Sequence, residues 1–180
     1  QLWSLIGECY SAIDNNREAI KAYESVCLQD TEKQYKAIWF KLLITYSLYM
    51  MGENARQIAQ HTLMWQELIV PTHFVLLDLS IKELNKDFSL EQIQSLTSKF
   101  DSLTLEQRKR LINRALDVSY YDEAEVLIKR SISQGDQPHE YINEHAQISF
   151  KHGEYAEVIA LLSGSHATES AAQYNLLAKS

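Results

Sequence analysis

Sliding residues 3–26 along the chain by 36 positions lays one segment on another without a gap: Trp3 falls on Trp39, Ile6 on Leu42, Tyr10 on Tyr46 and Ala19 on Ala55. Self-similarity at such a period constrains a fold more than any local pattern. It is the mark of stacked supersecondary units, each unable to bury its apolar face alone. Within the unit the spacing is helical. Trp3, Ile6, Tyr10 and Ile13 form one stripe, Asp14, Asn15 and Asn16 interrupt it, and Ala19, Tyr23 and Val26 resume on a second helix. A helical hairpin is therefore predicted. Only 5 Gly and 2 Pro occur in 180 residues, too few for the turn-dense grammar of a β-sandwich or barrel.

Trp3, Ile6, Gly7, Tyr10, Ala19 and Tyr23 stand at large, Leu-like, small, aromatic, Ala and aromatic positions. In this the chain resembles the tetratricopeptide repeat family, although the family's usual proline after the second helix is absent after Cys27. The small residues let the two helices of a hairpin approach while the large ones fill the space between hairpins. Further along, Leu111, Ala115, Ala124 and Ile128 bracket a turn at residues 118–121, and Gly153 to Val158 repeats the start of the following helix 34 residues later. Between these regions, residues 72–85 and 89–100 read as a third, irregular hairpin, with Ser89 as an N-cap three residues before Gln92. Near the end, Tyr174, Leu177 and Ala178 within Ala171 to Ser180 fit either the first helix of another repeat or a short cap. The resemblance implies an all-α, right-handed superhelical α-solenoid of about five helix-turn-helix hairpins. As a single array these would span roughly residues 1–32, 33–69, 71–101, 104–135 and 138–164, with 168–180 beginning a further repeat or cap, the whole cut from a longer protein.

The rest of the sequence narrows function mostly by exclusion. A net charge of −7 and a pI near 5.4 do not suit a nucleic-acid binder, which needs a basic face. The most apolar stretch, 37–51, is interrupted by Lys41, Thr45 and Ser47, so direct membrane insertion is not expected. No G-x-S-x-G elbow, phosphate loop or dinucleotide fingerprint occurs, and neither an enzyme nor a cofactor is expected. His139-Glu140 would need a second histidine at 143, which is Asn143. His145 and His152 could share a helix face but lack further ligands, so no metal site is expected. In the predicted hairpin Cys9 and Cys27 are offset by roughly 9 Å along the axes, too far for an unstrained disulfide, and two buried thiols are expected instead.

The sharpest charge feature is the basic cluster Arg108, Lys109, Arg110 and Arg114, with Lys129 and Arg130 beyond it. It reads either as a solvated helix face paired with neighbouring acids or as a docking patch for an acidic segment. The resemblance implies a groove lined by the first helices, which places Glu8, Ser11, Phe40, Ile44, Ser47, Lys109, Asn113, Leu116, Asn143, Gln147 and Phe150 there as candidate binding residues. It also implies a Lys and Asn clamp for a C-terminal carboxylate in some members. Lys109 with Asn113 matches that pair in one repeat, but Glu144 stands where the second Asn belongs and the first repeat has no Lys. The function so implied is a non-catalytic protein–protein interaction scaffold that holds a peptide, helix or partner subunit. The alternative is a periplasmic region of a bacterial exopolysaccharide export protein, to which the proline-poor repeats and runs such as Leu161-Leu162 are similar. Phe40 and Phe150 would then meet the polysaccharide or its modifying enzyme. A regulatory or peptide-sensing domain is a third reading, and both cytoplasm and periplasm remain open as compartments.

Overall fold

A computed structural model describes residues 2–164, and every regular element among them is helical. The helices are α1 (Leu2–Ala12), α2 (Asn16–Gln29), α3 (Lys36–Leu48), α4 (Gly52–Thr62), α5 (Ile69–Lys82), α6 (Lys86–Thr97), α7 (Leu105–Asp117), α8 (Tyr121–Ser133), α9 (Ile142–His152) and α10 (Tyr155–Gly164). They fall into two compact units, residues 1–96 and 97–180. The architecture is a tetratricopeptide-like succession of helical hairpins. The segment from Ala171 to Ser180 lies outside the described residues.

The same turn closes all five hairpins among the described residues. Asp14, Met50, Leu84, Ser119 and Gly153 each adopt a positive φ, at spacings of 36, 34, 35 and 34 residues. The amide of the next residue reaches back to the carbonyl five positions earlier: Asn15 to Tyr10, Met51 to Tyr46, Asn85 to Ser80, Tyr120 to Ala115 and Glu154 to Ser149, each at 2.9 Å. This is the Schellman arrangement, which satisfies carbonyls that the helix end would otherwise leave open. The carbonyl of that same residue then accepts the first bond of the second helix, from Ala19, Ala55, Ser89, Ala124 and Val158 respectively. One turn thus ends a helix and starts the next. All five of those residues are buried, because they face the first helix at its closest approach. Gly7 marks the partner surface: a Cβ on it would lie 2.5 Å from a ring carbon of Tyr23, so the α1–α2 contact requires glycine.

Unit 1 buries a core rich in aromatic residues. Tyr23, Trp39 and Tyr46 stack with Leu42, Leu43, Ala55, Ala59, Leu76 and Leu79. Each fully buried Leu contributes roughly 1.5–3 kcal/mol relative to an exposed one. Asp30, in the loop after α2, is buried and accepts bonds from the amides of Gln34 (2.8 Å) and Tyr35 (2.9 Å) and from the indole of Trp39 (3.0 Å). Burial raises its proton affinity, yet these three donors together outweigh that and hold the carboxyl below its usual range.

The third hairpin is real but differs from its predicted form. Its first helix begins at Ile69, and Pro71 is tolerated because a first-turn amide has no intrahelical acceptor. Ser89 is not an N-cap. It sits inside α6 at the buried small position, and Asn85 caps the helix by accepting from the Phe88 amide at 3.1 Å. Ser89 and Ser80 share a hydrogen bond of 2.8 Å, and His73 bonds Gln92 at 2.8 Å, so polar pairs join α5 to α6.

Unit 2 opens with a capping box, in which Thr104 accepts from the Gln107 amide and the Gln107 side chain accepts from the Thr104 amide. Its core combines the buried rings of Phe100 and Tyr141 with Leu111, Ile112, Leu127, Ile128 and Ile148. Cys27 is buried, as expected, but Cys9 is exposed, since α1 turns that face away from α2. Both thiols are free.

Candidate binding groove

In unit 1 the first helices α1 and α3 lie beside each other with an open groove of about 340 Å³. Glu8, Ser11 and Ala12 of α1 form one wall, Lys41, Ile44, Thr45 and Leu48 of α3 the other, and Asn16 and Tyr23 of α2 close the floor. Glu8 and Lys41 form an ion pair across it. Tyr23 is buried, which pushes its hydroxyl pKa up and keeps the floor uncharged. Leu48 is 61% exposed at the rim, an apolar residue held in solvent.

Three expected groove residues, Glu8, Ser11 and Ile44, come together in this space. Phe40 is half-buried and packs against the unit 1 core, and Ser47 is buried. The groove also uses Ala12, Asn16, Lys41, Thr45 and Leu48, which sequence reasoning passed over. The signal for two of them was present, since Ala12 and Leu48 are themselves 36 residues apart and directly follow the chosen positions Ser11 and Ser47.

In unit 2 the corresponding face is bonded to itself. Lys109 pairs with Glu140, and Asn113 donates to Glu144 at 3.2 Å and to the carbonyl of Lys109 at 3.0 Å. The Lys109 ammonium holds the Glu140 carboxyl below its usual range. Asn143 is exposed and Gln147 half-buried, whereas Leu116 is buried in the core. Phe150 is half-buried against Ala146, Val158 and Leu162, with its ring 5.6 Å from that of Tyr155 in an edge contact.

The basic cluster is distributed rather than gathered. Arg108 donates to Asp136 through two nitrogens at 2.9 and 2.5 Å and to the Leu103 carbonyl at 2.9 Å, with only 13% of its side chain exposed. Tyr141 adds a bond to Asp136 at 2.6 Å. Burial raises the Asp136 pKa, but the bonds from Arg108 and Tyr141 prevail and leave it lowered. Arg114 pairs with Asp117 at 2.8 Å. Arg110 is exposed. Arg130 bonds Asp101 at 2.7 Å and lies over the Phe100 ring at 5.0 Å.

His145 lies 3.9 Å from Glu157 and His152 3.5 Å from Asp122, as separate pairs. Among the described residues no group of three or more His, Cys, Asp or Glu could hold a metal ion, and no helix is long and apolar enough to cross a membrane.

Comparison with solved structures finds a tetratricopeptide repeat protein from Parabacteroides merdae ATCC 43184, with a TM-score of 0.56 over 98% of this chain and 68% of that one. The fold is tetratricopeptide-like. At 12% identity the likeness speaks for architecture alone. No family model matches the chain, and no curated protein does. What the architecture provides is an all-helical scaffold of repeated hairpins.

Proposed function

We propose that this chain is a non-catalytic interaction scaffold that grips a short peptide or helix in the first-helix groove of unit 1. The observation that carries the reading is the preformed space between α1 and α3, with apolar Ile44 and Leu48 on one wall and the Glu8–Lys41 pair across it. A groove of a few hundred Å³ with apolar walls and a few polar groups is the usual form of a recognition site. Preformed walls also spare the scaffold the ordering cost that a flexible site would meet on binding. The anchor it suits is one large apolar side chain, set between Ile44 and Leu48. Polar flanks of the ligand would contact Glu8, Ser11 and Asn16. Phe40, Ser47 and the unit 2 residues Lys109, Asn113, Leu116, Asn143, Gln147 and Phe150 are secondary in this reading, since most are buried or bonded to neighbours. The docking role of Arg108, Lys109, Arg110 and Arg114 is likewise secondary, because an acidic segment would compete with Asp136, Glu140 and Asp117.

The test is selection of displayed peptides on the wild-type chain, followed by affinity measurement on Leu48→Lys and Lys109→Glu variants. Leu48 is exposed, so its replacement leaves the core intact. Selected peptides should lose about tenfold or more in affinity with Leu48→Lys and little with Lys109→Glu. The reverse pattern would move the site to unit 2. Retention of soluble polysaccharide with no peptide selected would favour the exopolysaccharide reading.

A further inference from the structure

Unit 1 carries a second concavity, on its second-helix side, which the peptide groove does not use. It is a cleft of about 370 Å³ between α2 and α4, with α3 beneath. Glu24, Cys27 and Leu28 line it from α2, Gln57, Ile58 and His61 from α4, and Trp39, Leu42 and Tyr46 form the floor. We propose that this cleft binds an organic ammonium ion carried on an apolar, ring-sized body.

The argument rests on how charge and apolar surface are distributed along the cleft. Glu24 is the one formally charged side chain among the nine lining residues, and the Tyr46 hydroxyl donates to one of its oxygens. The bond leaves the second carboxylate oxygen to accept from a ligand. Gln57, whose amide nitrogen faces Glu53 at 3.4 Å, keeps its carbonyl oxygen as a further acceptor. One helical turn from Glu24 the surface becomes apolar. Leu28 is 83% exposed at the rim, and the Trp39 and His61 rings meet at 4.6 Å with a tilt of 54°. The distance from the acidic to the apolar end is about 6 Å along α2, the length of a two-carbon ammonium on a ring. The ligand would share the cleft with the Tyr46 and Trp39 rings, and aromatic faces attract positive charge.

The surroundings agree. Burial, with Lys33 nearby, lowers the His61 pKa, so the imidazole is neutral and does not repel a cation. Lys33 is not among the residues that line the cleft, and its ammonium lies 3.5 Å from the Met64 sulfur. The Cys27 thiol is pushed up to about 12 by burial, with Asp30 and Glu24 adding to it. It is therefore an inert, protonated part of the floor, which suits a binding cleft and not a reactive one.

The experiment titrates the chain with 2-phenylethylammonium and with its neutral counterpart 2-phenylethanol, following the Trp39 indole and His61 ring signals by NMR. A ligand of this size should bind with Kd on the order of millimolar. The ammonium should bind at least fivefold more tightly than the alcohol, with the shifts on Trp39, Tyr46 and His61. Glu24→Gln keeps an acceptor for Tyr46 and removes the charge. It should abolish the preference for the ammonium over the alcohol. Equal affinities on the wild-type chain, a preference that survives Glu24→Gln, no binding of either probe, or shifts confined to Tyr23 and Ile44 in the peptide groove would each overturn the proposal.

Discussion

The two units build the same hairpin and treat its first-helix face in opposite ways. In unit 1 that face is open over the Tyr23 ring, and one ion pair crosses it between α1 and α3. In unit 2 the matching face is closed by Lys109 on Glu140 and Asn113 on Glu144, and a deeply placed Arg108–Asp136 pair locks α7 to the loop before α9. Both cores bury large rings. Unit 1 fills the space between its hairpins with Tyr23, Trp39 and Tyr46, while unit 2 buries Phe100 and Tyr141 beside aliphatic side chains and bonds Tyr141 to the Asp136 carboxylate. A repeat fold requires only that the space between hairpins be filled and its polar groups satisfied. What sets the two faces apart is how their polar groups are paired, by Glu8 with Lys41 across the unit 1 space and by both Lys109 with Glu140 and Asn113 with Glu144 in unit 2.

The sharpest way to break this comparison is to remove the charge on which unit 2 depends. Asp136→Ala would strand a nearly buried guanidinium, at a cost of roughly 3–5 kcal/mol, read as a lowered urea midpoint. Pairing it with Arg108→Met should recover much of that loss, because the stranded charge is then gone. A loss no larger than that of a surface substitution would show that unit 2 does not rest on the pair. Acid should act in the same direction. The Asp136 pKa is lowered by folding, so its contribution is complete above the unfolded carboxylate value of about 4 and is lost as pH falls through the folded value. Asp136→Asn should therefore flatten part of the stability loss below about pH 4. Asp30 in unit 1 is lowered too, and should retain its own share of that loss in the variant.

A second test opens the closed face. Glu140→Gln with Glu144→Gln would release Lys109 from its carboxylate and leave Asn113 facing an amide. Affinity for a short peptide with a free C-terminal carboxylate should rise about tenfold, as expected for one added charge-assisted contact, measured by calorimetry. Unchanged affinity would mean that the pairs are not what closes unit 2. Gly7→Ala tests unit 1 instead. The new methyl would drive into the Tyr23 ring, and overpacking of about 1–3 kcal/mol exceeds the helix-propensity gain of up to about 1. A net loss near 1 kcal/mol in thermal unfolding is expected, and a gain would mean that the ring moves freely at the groove floor.

The hairpins were legible where rings and small residues alternate. Trp39, Tyr46, Ala19 and Ala55 announce themselves because a ring against a methyl is the packing that the 36-residue shift detects. The third hairpin replaces that contact by Ser80 against Ser89, a hydroxyl pair that does the same spatial work with residues carrying no apolar signal. Ser89 therefore read as a cap, which is what serine at a polar boundary ordinarily is. The groove was half legible for a related reason. Glu8, Ser11 and Ile44 follow from position in the repeat, but that Lys109 and Asn113 are held by Glu140 and Glu144 depends on partners 31 residues away. Periodicity shows which face a residue occupies and not what its neighbour across the face does with it. Trp3 and Trp39 make the point within one position: the first is 48% exposed and the second 7%, because Trp39 has Asp30 and α4 around it.

The smallest effect concerns the turn that both units share. Leu84 holds a φ of 55° at the left-handed position of the third hairpin, with its side chain 87% exposed, so the fold bears the backbone cost of a non-glycine residue there and gains no burial from it. Gly153 occupies the same position in the fifth hairpin without that cost. Leu84→Gly should stabilise unit 1 by up to about 1 kcal/mol, since the left-handed strain of a Cβ outweighs the added freedom of glycine in the unfolded chain. Gly153→Ala should lose a similar amount in unit 2, with open space around the new methyl leaving backbone strain as the cause. Equal and opposite shifts for the two variants, read from the unfolding midpoint of each, would establish that the turn is one device used five times. A loss on Leu84→Gly would instead mean that the third turn is held by its side chain, and that the repeat is less regular than its hydrogen bonds.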